Sequence, residues 1–303
     1  MKKIFIGNYK GGVGKTTSTL FLGKCLKDLG KKVLLMDLDP QSSLSEICIK
    51  KGDSERSIED LKPEQTLNYV YELCIDNIRK GYGLDLQFDL DCLISLYEEN
   101  LDYVASSLYY KDDVGLDELN MNMEKDIQYF SILGKLVKDI ERANLEYDYL
   151  LIDCPPNSSI ITQSAFMLSD GYLIPTIVDS ISSKGIVHYI GTISKVYDRY
   201  CEKHEDAHLF KHYFGNDPKL IGVFYTLIRG QVNYDEVIES LRDELDKLPV
   251  RDSIYVFKNY TNNYVDITRA IASNELEKLN KLKNTYPEIT KEFVERLSDL
   301  NLQ

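Results

Sequence analysis

The spacing of apolar residues changes several times along the chain, and each change marks an element. Lys3–Gly7 is a short apolar run that reads as a strand. Thr17–Leu29 carries Leu20, Phe21, Cys25 and Leu29 at helical spacing, and Gly30 ends it. Val33–Met36 is continuously apolar and stops at Asp37, a second buried strand. Strand, helix and strand within about 35 residues form a βαβ unit, so the strands are expected to lie parallel. Beyond it, Leu67–Arg79 and Met123–Ala143 read as helices and Leu101–Ser106 as a short strand. Tyr109–Asn122, with Asp112, Asp113 and Gly115, reads as a loop. Asp148–Asp153 is a buried strand, and Tyr172–Pro175 and Leu220–Leu227 are two more. Val232–Leu248 and Tyr264–Leu282 read as helices, with a strand at Ile254–Phe257 between them. No repeat, low-complexity tract or linker interrupts the pattern. It predicts a single domain over residues 1–303, with an irregular, mainly helical insert at 50–145.

Composition narrows the class. No apolar run approaches the roughly 20 residues of a membrane helix, and the N-terminus reads as a strand rather than a signal peptide. Cys25, Cys48, Cys74, Cys92, Cys154 and Cys201 form no C-x-x-C pair, and the four histidines lack metal-type spacing. A cytoplasmic chain with reduced thiols and no zinc is the expectation. The net charge is −13, unevenly spread: residues 1–50 carry nine basic against four acidic side chains, residues 51–150 ten against 23. Acid concentrated in one segment leaves room for anion binding elsewhere.

The candidate chemistry begins between the first strand and the first helix, at Asn8-Tyr9-Lys10-Gly11-Gly12-Val13-Gly14-Lys15-Thr16-Thr17. Backbone N–H groups of a glycine-rich turn and a helix N-terminus converge there on an anion. Lys15 can reach the β- and γ-phosphates, and the Thr16 hydroxyl can ligate Mg²⁺. The ordinary P-loop has glycine where Tyr9 stands, and here a second lysine, Lys10, follows. Two acidic strand ends accompany the loop: Asp37-Leu38-Asp39-Pro40-Gln41, and Tyr149–Asp153 followed by Cys154-Pro155-Pro156. Carboxylates at such strand ends sit in the crevice where α/β proteins bind ligands.

K-G-G-x-G-K-T-T, D-x-D-P-Q and the apolar strand ending in Asp resemble, in this order, the ParA/MinD family of deviant Walker A ATPases, closest to ParA/Soj-like partition proteins. Softer matches run from Ser158 to Gly185 and over Gly222–Thr226, beside the family's base pocket. The resemblance implies a three-layer α/β P-loop NTPase fold, a mostly parallel twisted sheet with helices on both faces. It implies ATP and Mg²⁺ as ligands, Lys10, Gly11, Gly12, Val13, Gly14, Lys15, Thr16, Thr17 and Thr226 around the nucleotide, and Thr16, Asp37 and Asp153 around Mg²⁺. Lys10 would reach across a homodimer to the partner's ATP, and Asp39 would position or polarise the attacking water.

As function, the resemblance implies a plasmid or chromosome partition switch. ATP drives dimerisation and nucleoid binding through non-specific DNA contacts, and a ParB-like adaptor stimulates slow hydrolysis and releases the dimer. The family's Pro-Arg-Asn-like turn is replaced by Phe257-Lys258-Asn259-Tyr260. DNA contacts are therefore expected from Lys184, Lys195, Arg199, Lys258 and Arg269, directed at the backbone and salt-sensitive. A MinD-like membrane ATPase needs a basic amphipathic tail, whereas Glu288–Leu297 carries more acid than base. An iron–sulfur reductase needs paired cysteines that this chain lacks. A metabolic ligase on the same fold is the remaining alternative.

Overall fold

The computed structural model describes residues 1–52, 56–111, 114–177, 182–228, 254–261 and 280–302, with Glu236, Glu239 and Asp243. In chain order the elements are β1 (Lys2–Ile6), α1 (Lys15–Asp28), β2 (Val33–Asp37), α2 (Ser43–Gly52), α3 (Leu67–Arg79) and α4 (Leu90–Leu93). Then come β3 (Ile94–Glu98), β4 (Leu101–Val104), α5 (Leu116–Met121), α6 (Ile127–Arg142), β5 (Tyr149–Asp153) and α7 (Ile160–Leu168). The last are β6 (Gly171–Ile177), α8 (Ser182–Tyr197), α9 (Ala207–Phe214), β7 (Lys219–Thr226) and α10 (Asn280–Asp299).

The strands form one sheet in the order β3-β4-β2-β5-β1-β6-β7. Every pairing is parallel except β3 with β4. Side chains of alternate strand residues leave opposite faces. Phe5, Leu34, Met36, Leu150 and Ile152 pack with α3, α6, α7 and α8 on one face. Ile4, Ile6, Val33, Leu35 and Leu151 pack with α1, α2 and α10 on the other. Both faces are covered, which is why β1, β2 and β5 read as unbroken apolar runs. The expected three-layer fold is the observed one.

Some expectations change. The stretch 109–122, expected as a loop, contains α5, whose Leu116 and Leu119 are buried one helical turn apart. Ile254–Phe257 makes one parallel bridge, Val223 to Val256, rather than a strand. Of the two expected late helices, Val232–Leu248 is described only at Glu236, Glu239 and Asp243, which are helical, and 264–279 lies outside the described residues. Residues 280–282 begin α10.

Because β1 sits between β5 and β6, the loop after it opens at the middle of the sheet's C-terminal edge. The ends of β5 and β2 flank it on one side, and those of β6 and β7 on the other.

Candidate functional site

The site is built from the end of β1 outward. At Gly7 a Cβ would fall 2.2 Å from the Phe5 ring and 2.6 Å from the Tyr189 hydroxyl, so strand and α8 touch there. Gly7→Ala should cost about 1–3 kcal/mol of stability by overpacking. A thermal melt of the ligand-free protein checks this, and an unchanged midpoint would show that the contact gives way freely.

Asn8 is buried and ties both ends of the loop. Its Nδ2 donates to the Pro175 carbonyl of β6 at 2.9 Å, and its Oδ1 accepts the Lys10 N–H at 3.0 Å. The Tyr9 ring packs edge-on against Tyr189 with centroids 4.6 Å apart. Gly12 and Gly14 have φ of 70° and 77°, a region that glycine enters without strain. A Cβ at Gly11 or Gly12 would meet nothing within 4 Å, so the backbone lies open to a ligand. Gly14 is the N-cap of α1 and supplies no side-chain cap. The first N–H groups of α1 therefore keep their affinity for an anion. Thr226 lies beneath the loop. Its hydroxyl donates to the Val13 carbonyl at 2.7 Å and lies 2.9 Å from that of Thr176, which fixes the loop's underside to the ends of β6 and β7.

Lys15 is only 7% exposed, and its Nζ donates to the Lys10 carbonyl at 3.2 Å. Burial lowers its pKa, while Asp153 and Asp39 oppose that. The Thr16 hydroxyl donates to Asp153 Oδ2 at 2.6 Å. Asp153 is buried, and burial pushes its pKa well up, reinforced by the Asp37 charge and opposed by the Thr16 hydrogen bond. Asp37 Oδ2 accepts both the backbone N–H and the hydroxyl of Ser45, at 2.8 and 2.7 Å, and Oδ1 accepts the Asp39 N–H at 3.1 Å. Burial raises its pKa to about 7, against the Ser45 hydrogen bonds. Asp37 thus orders the turn that carries Asp39 from below. Half-buried Asp39 accepts the Gln41 N–H at 3.0 Å. Its carbonyl accepts from Ser42 N–H at 2.8 Å and from the Ser106 hydroxyl at 3.3 Å. Ser42 holds a φ of 52° and lies 3.0 Å, hydroxyl to hydroxyl, from Ser106. Ser42, Ser45, Ser106 and Asn8 were missed at the sequence level. Asn8 had a local signal in its place in the loop motif and Ser42 and Ser45 lie just past the Asp37–Asp39 turn, whereas Ser106 meets that turn only through the fold.

The residues fit a Mg²⁺-triphosphate. A hydroxyl and carboxylates are hard oxygen donors, and Mg²⁺ bound with phosphates needs one or two protein ligands. Among the described residues no three His, Cys, Asp or Glu side chains group as a protein-only metal cage. Cys154 is buried with its thiol pKa raised well up by burial, a packed residue.

The expected DNA contacts divide. Lys195, in the last turn of α8, and Arg199, just beyond it, are exposed. There the Tyr197 hydroxyl donates to the Gly215 carbonyl at 2.6 Å, at the sheet's N-terminal edge. Lys258 is exposed at the C-terminal edge, the Lys184 backbone lies in the first turn of α8, and Arg269 is outside the described residues. No described helix is long and apolar enough to cross a membrane.

Known proteins resemble this chain. The AAA domain family matches residues 1–205. The sporulation initiation inhibitor protein Soj of Bacillus subtilis is 29% identical over 257 residues, 84% of this chain and 82% of Soj. The chromosome partitioning protein ParA of Caulobacter vibrioides is 26% identical over 196 residues, 65% of this chain and 63% of that protein. The crystal structure of a putative plasmid partition protein from Borrelia burgdorferi bound to AMPPNP superposes with a TM-score of 0.63. That match has 20% identity and covers 98% of both chains. With the two-lysine loop, the paired strand-end aspartates and the sheet order in place, the chain belongs to the ParA/Soj-like partition and positioning ATPases of the ParA/MinD family.

Proposed function

We propose that this chain, as one ATPase domain, is an ATP-operated partition switch. The observation that carries the reading is the convergence of Lys10, Lys15, Asp39 and Asp153 on one loop, with Lys15 Nζ resting on the Lys10 carbonyl. The triphosphate lies along Gly11–Thr17, in reach of the α1 N-terminus. Lys15 neutralises the β- and γ-phosphates. Thr16 and Asp153 would hold Mg²⁺, with Asp37 behind them; the ion would supply charge neutralisation of the triphosphate. Asp39, at the rim of the same cluster, orients the attacking water. Lys10 offsets the charge of a second ATP across a homodimer, which ties assembly to nucleotide state.

Asp39→Ala should bind ATP normally and lower turnover at least about tenfold, as loss of a positioned base or orienting group does. ATP dimers should then accumulate. Phosphate release and light scattering read both, and wild-type turnover in the variant would remove Asp39 from catalysis.

In the cytoplasm the ATP dimer would bind nucleoid DNA through phosphate contacts, with Lys258 and Lys184 nearest the nucleotide edge. A ParB-like adaptor on a plasmid or chromosome would stimulate hydrolysis and release it. The test is retention on DNA with ADP, ATP and a slowly hydrolysed analogue across a salt series. Retention should require ATP or the analogue and fall steeply with salt. Equal retention in ADP would reject the switch.

A further inference from the structure

The turn that carries Asp39 is strained. Ser42 holds a φ of 52°, a left-handed conformation that serine keeps only where its surroundings fix it. Asp39 N–H is held from within its own strand end, by Asp37 Oδ1 at 3.1 Å. Its carbonyl is held by the Ser42 N–H at 2.8 Å and by the Ser106 hydroxyl at 3.3 Å. Ser106 and Ser42 are fully buried, and their hydroxyls lie 3.0 Å apart. The Ser106 N–H donates to the Ser45 hydroxyl at 2.9 Å, and that hydroxyl donates to Asp37 Oδ2 at 2.7 Å. Among the described residues, Ser106 is the hydrogen-bond partner that Asp39 and Ser42 find outside residues 37–52.

Ser106 is itself gripped on both sides by the start of α3. Before it, Ala105 bridges to Thr66, and the Ala105 carbonyl accepts the Leu67 N–H at 2.8 Å. After it, the fully buried Asn68 closes on Ser107. Asn68 Oδ1 accepts the Ser107 N–H at 2.9 Å, and Nδ2 donates to the Ser107 carbonyl at 2.9 Å. The first turn of α3 thus fixes both neighbours of the residue that fixes the Asp39 turn. The phosphate loop has separate supports, Asn8 and Thr226. Loosening the Asp39 turn should therefore spare nucleotide binding and slow the chemistry, since a misplacement of about 1 Å can cut a rate about 100-fold. We propose that Ser106 is a positioning residue for hydrolysis: it pins the backbone of Asp39 and Ser42 so that the Asp39 carboxylate keeps one direction, and α3 pins Ser106 in turn through Asn68. This rests on the reading of Asp39 above as the group that orients the water.

The test reads single-turnover phosphate release by the full chain with ATP and Mg²⁺, beside ATP affinity and circular dichroism. Ser106→Ala should slow release about fivefold and leave ATP affinity within about twofold, the mark of an interaction that matters only in the transition state. In an Asp39→Ala background the same substitution should change the residual rate by less than about twofold, because a group that acts through Asp39 has nothing left to position. Ser42→Gly keeps the turn's backbone, since glycine adopts a φ of 52° without strain, and removes the hydroxyl that meets Ser106. It should slow release about threefold, again only with Asp39 present, and it decides the matter should Ser106→Ala not fold. A folded Ser106→Ala with wild-type release overturns the proposal. So does an equal slowing with and without Asp39, or a loss of ATP affinity that matches the loss of rate, since either marks a merely structural brace. Wild-type release in Asp39→Ala alone would sink the reading of Asp39 itself, and this proposal with it.

Discussion

Lys15→Ala should lower ATP affinity at least about 100-fold, roughly 2.7 kcal/mol, while the chain stays folded. Lys15 is almost fully buried and is the cation that faces Asp153 and Asp39 within the loop. Without it a triphosphate would meet the Asp153 and Asp39 carboxylates with the cation that faces them removed. Truncating one member of a buried, hydrogen-bonded charge pair typically costs about 2–5 kcal/mol, mostly because the other charge is left unpaired. Lys15→Arg should rescue little, since a planar fork does not replace a compact ammonium on the Lys10 carbonyl. Titration of a fluorescent ATP analogue, with circular dichroism as the folding check, reads the result. Affinity within about threefold of wild type would mean that the backbone cradle alone carries the phosphates.

Lys10→Ala separates assembly from binding. The Lys10 backbone is held from both sides, its N–H by Asn8 and its carbonyl by Lys15, and its side chain starts from the mouth of the loop. If that side chain serves the partner's nucleotide, its removal should leave ATP affinity within about threefold. The ATP-dependent dimer should weaken at least about 30-fold, because two sandwiched triphosphates lose the charge that offsets them. Light scattering after size exclusion, with and without ATP, measures this. Dimers retained at wild-type concentration would refute the trans role.

The sequence was most legible where one local pattern and one physical demand coincide. β2 and β5 are buried on both faces, so their apolar runs ending in Asp37 and Asp153 identified them and their place at the crevice together. α3 begins at Leu67, whose N-cap Thr66 accepts the Tyr69 N–H, and ends at Arg79, the span its periodicity predicts. β3 was missed because an antiparallel edge strand buries one side only, and Leu96 on it is 71% exposed. α5 was missed because six residues carry too few turns to show a period. In the site, the motif residues were legible as a set and their supports were not. Ser106 touches the Asp37–Asp39 turn only because β2 and β4 are neighbours, and Glu292 reaches the 258–259 turn from a helix that follows it in sequence. The division of the basic residues was equally invisible: α8 is long enough to place Lys195 in its last turn, and Arg199 just beyond it, at the edge opposite Lys258.

The position of β1 also sets when in its own synthesis the protein can begin to work. Residues 2–6 are made well before the strands at 149–153 and 171–173 with which they pair. Such distant pairing must wait on loop closure, and domains emerge at about 5–20 residues per second. A nascent chain therefore carries its nucleotide motif for about 8–30 seconds before the flanking strands exist to shape it. Fragments cut short before β6 should be inert, unable to compete with finished molecules for nucleotide.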